Sequence, residues 1–156
     1  MKSIKLLAVA SLVLMASGCL KAPEDTQALR THSMVRATTV TVPRSPSAAL
    51  STMVSRASQC LDFGSHTQVV GPTMNANIFE TYKPYREGNS LVVLYSTPND
   101  PINKGFYPRV VSDVTPGPNG GATVTTYAPM GMGNMISAIH AWAAGDTGPC
   151  PKDDWF

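Results

Sequence analysis

Across residues 63–129 no apolar period of helical length occurs, and proline, glycine and asparagine cut the stretch into short runs. A middle half of this kind can bury its backbone only in strands. The expected strands are 67–70, 77–85, 90–96, 109–115 and 122–127. Between the last two lies Pro116-Gly117-Pro118-Asn119-Gly120-Gly121, a turn cluster that predicts an antiparallel hairpin. Strands joined by such short turns cannot run parallel.

Helical patterns flank this region. Residues 35–42 (VRATTVTV) are β-branched and alternating, which predicts a first strand ending at Pro43. Ser45-Pro46 then supplies an N-cap with proline at the first helical position. Ala49, Leu50, Met53, Val54, Ala57, Cys60 and Leu61 follow at spacings of three and four, the clearest amphipathic helix in the chain. From Gly133 a second pattern places Met135, Ile136, Ile139, Trp142 and Ala143 on one face, with Gly145 as its C-cap.

The element order is strand, helix, several antiparallel strands, helix. A sheet polar on one face and apolar on the other needs a helical layer over the apolar side, so the expected fold is α+β, an antiparallel sheet with an early helix and a C-terminal helix packed on one face. The 156 residues suit one domain. Trp142, flanked by small alanines, is expected in the core.

Residues 1–18 form a leader: Lys2 and Lys5, an apolar run over 6–15, then Ala16-Ser17-Gly18 before Cys19. The run has ten residues, whereas a spanning helix needs about 20. Ala16-Ser17-Gly18-Cys19 resembles the bacterial lipoprotein signal, whose lipobox ends in a small residue before an invariant Cys. That resemblance implies cleavage before Cys19, diacylglyceryl on its sulfur and an acylated new amino terminus. Several acyl chains together make attachment effectively permanent. Leu20-Lys21 after the Cys, with no Asp there, points to the outer membrane under the bacterial sorting rule. Residues 19–34 are then expected as lipidated Cys and flexible tether, with a short helix over 24–30 as the alternative, and 35–156 as the single periplasm-facing domain.

With Cys19 assigned to lipid, Cys60 and Cys150 remain as a pair in an oxidising compartment, where a disulfide is the default. The competing metal or redox reading has little behind it, because no CxxC exists and His32, His66 and His140 are scattered. Removing Lys2 and Lys5 with the leader leaves ten basic and ten acidic residues, a balance with no electrostatic footprint for nucleic acid.

Two looser resemblances follow. The element order resembles the helix-grip arrangement, of the general kind used by the outer-membrane accessory lipoprotein BamC; the likeness carries no functional residues. Cys19, Cys60, the segment Trp142-Ala143-Ala144-Gly145 and Cys150 together resemble small uncharacterised proteobacterial lipoproteins. That resemblance implies envelope location and the disulfide, and nothing about catalysis.

Catalytic motifs are absent from the sequence: no G-x-S-x-G, HExxH, EF-hand or phosphate loop occurs. His140 could be a general base but is read as a flanking helix residue, and His66 as a solvated loop residue. Glu80 and Asp113 could be imagined as a glycosidase-like pair. Gly131-Met132-Gly133 is read as a sheet-to-helix turn. Trp155 and Phe156 form an apolar tip that docks back on the domain or meets a partner or lipid. No cofactor or metal is expected. The expected function is that of a non-enzymatic envelope lipoprotein, an accessory or interaction module meeting another envelope protein at the periplasmic face of the outer membrane. The alternatives are a small apolar-ligand binder and, with no motif behind it, an envelope hydrolase.

Overall fold

The structure, a computed structural model, describes residues 21–61, 66–69, 75–78, 80–98 and 100–150. In chain order the elements are α1 (Thr26–Thr31), β1 (Val35–Val42), α2 (Pro46–Cys60), β2 (His66–Val69), β3 (Asn75–Ile78), β4 (Thr81–Glu87), β5 (Ser90–Ser96), β6 (Tyr107–Pro116), β7 (Ala122–Pro129) and α3 (Gly133–Ala144). The fold is α+β as expected. β4 to β7 form an antiparallel meander, and β1 joins its far side, giving the open order β1-β7-β6-β5-β4. β2 and β3 make a separate two-stranded ribbon, so the single strand expected over 77–85 is two strands with different partners.

Local chemistry accounts for the boundaries. The Ser45 hydroxyl accepts from the Ala48 amide at the start of α2, with Pro46 in the first turn. α3 ends at Gly145, whose φ of 104° is left-handed; its amide donates to the Trp142 carbonyl at 3.0 Å, and Asp146 donates to that of Ala141 at 2.9 Å. A Cβ at Gly145 would also stand 2.7 Å from Arg44 Nη1, so glycine serves both conformation and space there. The β6–β7 connection carries Asn119 at φ 53° and Gly120 at φ 78°, and the Gly117 amide closes it on the Gly121 carbonyl at 2.8 Å.

Alternation along the strands then builds the core. β7 buries Ala122, Val124, Thr126 and Ala128, while β5 and β6 add Leu91, Val93, Tyr95, Val110 and Val114. Over this face lie both long helices: α2 contributes Leu50, Met53, Ala57 and Cys60, and α3 contributes Met135, Ile139, Trp142 and Ala143. α2 lies across β4 to β7 and α3 against β1 and β7, with the two helices in contact. Met53, Met135, Ile139 and Trp142 therefore occupy the space between helices and sheet.

Within the described part of the tether expected over 19–34, the alternative of a short helix over 24–30 is the one found, as α1 at Thr26–Thr31. Asp25 caps α1 by accepting from the Ala28 amide at 2.7 Å. α1 packs on the sheet face opposite α2 and α3, with fully buried Leu29 against Val92 and Val111. Six residues cannot hold a helix alone; this one persists because tertiary contacts hold it. The packed unit thus reaches back past residue 35. Among the described residues, no helix is long and apolar enough to cross a membrane.

Candidate functional site

Cys60, the last residue of α2, is bonded to Cys150, with their Cα atoms 5.3 Å apart. The bond ties the end of the early helix to the segment after α3, and Arg56 reinforces it with a guanidinium hydrogen bond to the Gly148 carbonyl. Cys19, the leader, Trp155 and Phe156 lie outside the described residues.

His140, Glu80 and Asp113 are each engaged within the fold, and His66, expected in a loop, is the first residue of β2. His140 Nε2 lies 3.1 Å from Thr126 Oγ1, which is 2.9 Å from Ser112 Oγ. Both hydroxyl residues are fully buried. Burial pushes the His140 imidazole below its ordinary pKa and so favours the neutral ring, whose Nε2 accepts from or donates to the Thr126 hydroxyl according to its tautomer. This line pins α3 to the sheet, and its serine is closed to substrate. Glu80 and Asp113 do not form a pair. Asp113 is opposite Ser90 at one end of β5, and Glu80 precedes Thr81, which is opposite Ser96 at the other end, roughly 20 Å along the strand. Paired glycosidase carboxylates stand only about 5 to 9.5 Å apart.

Each of those acids has a structural role. Asp113 receives both arms of Arg30, Nε at 2.9 Å and Nη2 at 2.6 Å, together with the Ser90 hydroxyl at 2.6 Å. Burial pushes its carboxyl up, but the Arg30 and Ser90 hydrogen bonds and the Arg30 charge outweigh that and leave it below its ordinary value. The fork and Leu29 together fasten α1. Glu80 accepts from the Tyr95 hydroxyl at 2.9 Å and the Tyr82 hydroxyl at 3.4 Å. Burial first, and the neighbouring carboxylate with it, pushes both phenols well above their ordinary value, so they are donors throughout the physiological range. Tyr95 also packs against Tyr82 and Tyr107, with ring centres 5.2 and 5.6 Å away, and the Arg109 guanidinium stands 5.2 Å from its ring.

Open surface remains at the end of the sheet where β1 and β6 begin and β7 ends. Residues 21–23 run between two adjoining hollows there. One, of about 340 Å³, is bounded by Lys21, His32, Met34, Arg109 and Met130. The other, of about 290 Å³, is bounded by Lys21, Ile102, Lys104 and Phe106. The Ala22 amide donates to Asn103 Oδ1 at 2.7 Å, fixing the chain to the 100–103 turn. That turn is itself closed by Asp100, whose Oδ1 accepts from the amides of Ile102 and Asn103 at 2.9 and 2.8 Å, which leaves the Ile102 side chain outward. Lys83 Nζ stands 4.0 Å over the Phe106 ring.

Sequence reasoning did not single out Met34, Ile102 or Met130. An exposed apolar residue in a loop carries no periodicity, and only the fold brings these together.

The two margins of the sheet also differ. β4 carries Lys83, Pro84, Arg86 and Glu87, the residues that blunt an edge against further pairing. β1 is paired with β7 along all eight residues, holds Arg36 as its single charge, has no proline, and leaves Arg36 to Thr39 exposed. No protein-family model matches the chain, and no curated protein matches it either.

Proposed function

We propose that the chain is a non-enzymatic lipoprotein of the cell envelope, anchored through Cys19 at the periplasmic face of the outer membrane and acting as an accessory module that binds another envelope protein. The observation that carries the binding role is the difference between the sheet margins. An unblunted strand of eight residues offers a row of backbone donors and acceptors to an extended segment of a partner, while the opposite margin is guarded by charge and proline. Support for a non-enzymatic role comes from the engagement of Ser112, His140, Asp113 and Glu80 in contacts that hold the fold together. The filled space beneath α2 and α3 favours binding at the surface over enclosure of a small ligand.

In-cell crosslinking of the full chain tests the binding role. A defined crosslinked partner is expected for the wild type and is expected to disappear in Ala37→Lys/Thr39→Lys, which places lysines on β1 as natural edge strands do. The same double substitution in β4, Thr81→Lys/Tyr85→Lys, should leave the adduct in place. Loss of the adduct in the β4 variant with retention in the β1 variant would overturn the assignment.

A further inference from the structure

Residues 21–34 are fastened to the domain at three separate points: the Ala22 amide on Asn103, Leu29 buried on Val92 and Val111, and the Arg30 fork on Asp113. Under the lipoprotein reading, on which this inference rests, only two residue steps of chain separate the anchor at Cys19 from Lys21. Such a span reaches about 7 Å at full extension, against about 50 Å for a tether running to residue 34. A domain held this close must press the surface around Lys21 against the bilayer.

That surface has the composition of a membrane contact. Among the described residues the exposed large apolar side chains are Met34 (45% exposed), Tyr85, Ile102 (53%), Phe106 (42%) and Met130 (58%). All but Tyr85 border the two hollows beside Lys21. They come from three different stretches of chain: the turn before β1, the β5–β6 connection and the turn after β7. Lys21 borders both hollows and Lys104 the second, with Asp100 and Glu24 also among the lining residues; Lys83 stands over Phe106, and Lys21 is paired with Glu24. Apolar tips with lysine stems beside them suit the boundary between headgroups and acyl chains, where the stems lie along apolar surface and the ammonium groups meet lipid phosphates.

We propose that Met34, Ile102, Phe106 and Met130 form a membrane-contact rim that dips into the lipid surface and holds the anchored domain in one orientation, strands rising away from the bilayer. Val35, Thr81, Ser96, Tyr107 and Pro129 mark the strand ends at the lipid side, and Val42, Glu87, Ser90, Pro116 and Ala122 mark the distal ends. The β1 margin then stands clear of the membrane along most of its length.

The test uses the full chain in its native membrane, with phospholipids labelled by ³²P-phosphate and a benzophenone amino acid placed at Ile102, Met130, Ser51 or Asn119. Irradiation is expected to transfer phospholipid label to the Ile102 and Met130 proteins several times more than to the Ser51 protein, on α2, or the Asn119 protein, at the distal turn. Equal transfer at all four positions would overturn the rim, since the domain would then tumble on its anchor. Rim adducts formed with a protein instead of phospholipid would overturn it as well. The intact mass of the wild type separates the two failures: an acylated chain with an unlabelled rim removes this proposal alone, and an unacylated chain removes the lipoprotein reading and the rim with it.

Discussion

Trp142→Ala lowers the unfolding free energy by about 3 to 5 kcal/mol, the range for removing a large buried aromatic. The indole is 3% exposed and sits on the α3 face that also buries Met135, Ala138 and Ile139. α3 touches β1, β7 and α2, so a void at Trp142 loosens the junction of the two long helices with one another and with the sheet. A close-packed core collapses only in part around such a void, and the surrounding side chains lose both burial and contact. Ile102→Ala is the matching surface control, with a shift of about 0.5 kcal/mol or less because that side chain projects from a turn. Urea titration of both variants makes the comparison. Equal, small shifts would show that α3 does not supply the core.

Removal of the disulfide, as Cys60→Ser/Cys150→Ser, costs about 2 to 5 kcal/mol. The two cysteines are 90 residues apart in sequence, and for a loop of that length the chain-entropy model gives about 4 to 5 kcal/mol. The closed loop runs from the end of α2 through the ribbon, the meander and α3, and leaves α1, β1 and the rest of α2 outside it. A domain of this size commonly has only about 5 to 15 kcal/mol of stability to lose. The expected result is a much lower urea midpoint for the double variant, matched by the wild type after reduction. An unchanged midpoint in both would show that the bond does not constrain the unfolded chain.

Both predictions rest on features that were readable before the structure, and the reason is physical. β1 and α2 are specified by neighbouring residues: the β-branched run stopped by Pro43, then the Ser45 cap, Pro46 and the apolar spacing through Cys60. Gly145 is legible because a left-handed C-cap favours glycine. Other features depend on partners far away in sequence. α1 has only six residues, and what holds it is Arg30 on Asp113, 83 positions later, and Leu29 on Val92 and Val111. No local period reports such contacts, so the sequence leaves a polar tether and a short helix over 24–30 both open there. The split of the 77–85 run into β3 and β4 is hidden for a similar reason, since pairing partners and not composition divide it. At the site level, Cys60 and Cys150 follow from compartment and parity once Cys19 is set aside. The apolar rim does not, because exposure is a property of the folded surface.

The proposed lipid anchor at Cys19 stands or falls on the intact mass of the mature chain recovered from membranes. The expected mature chain begins at Cys19 and carries the added mass of a diacylglyceryl group and an amino-terminal acyl chain, with Cys19→Ser remaining unacylated. A mature chain with no acyl mass, or acyl mass retained in Cys19→Ser, would contradict it.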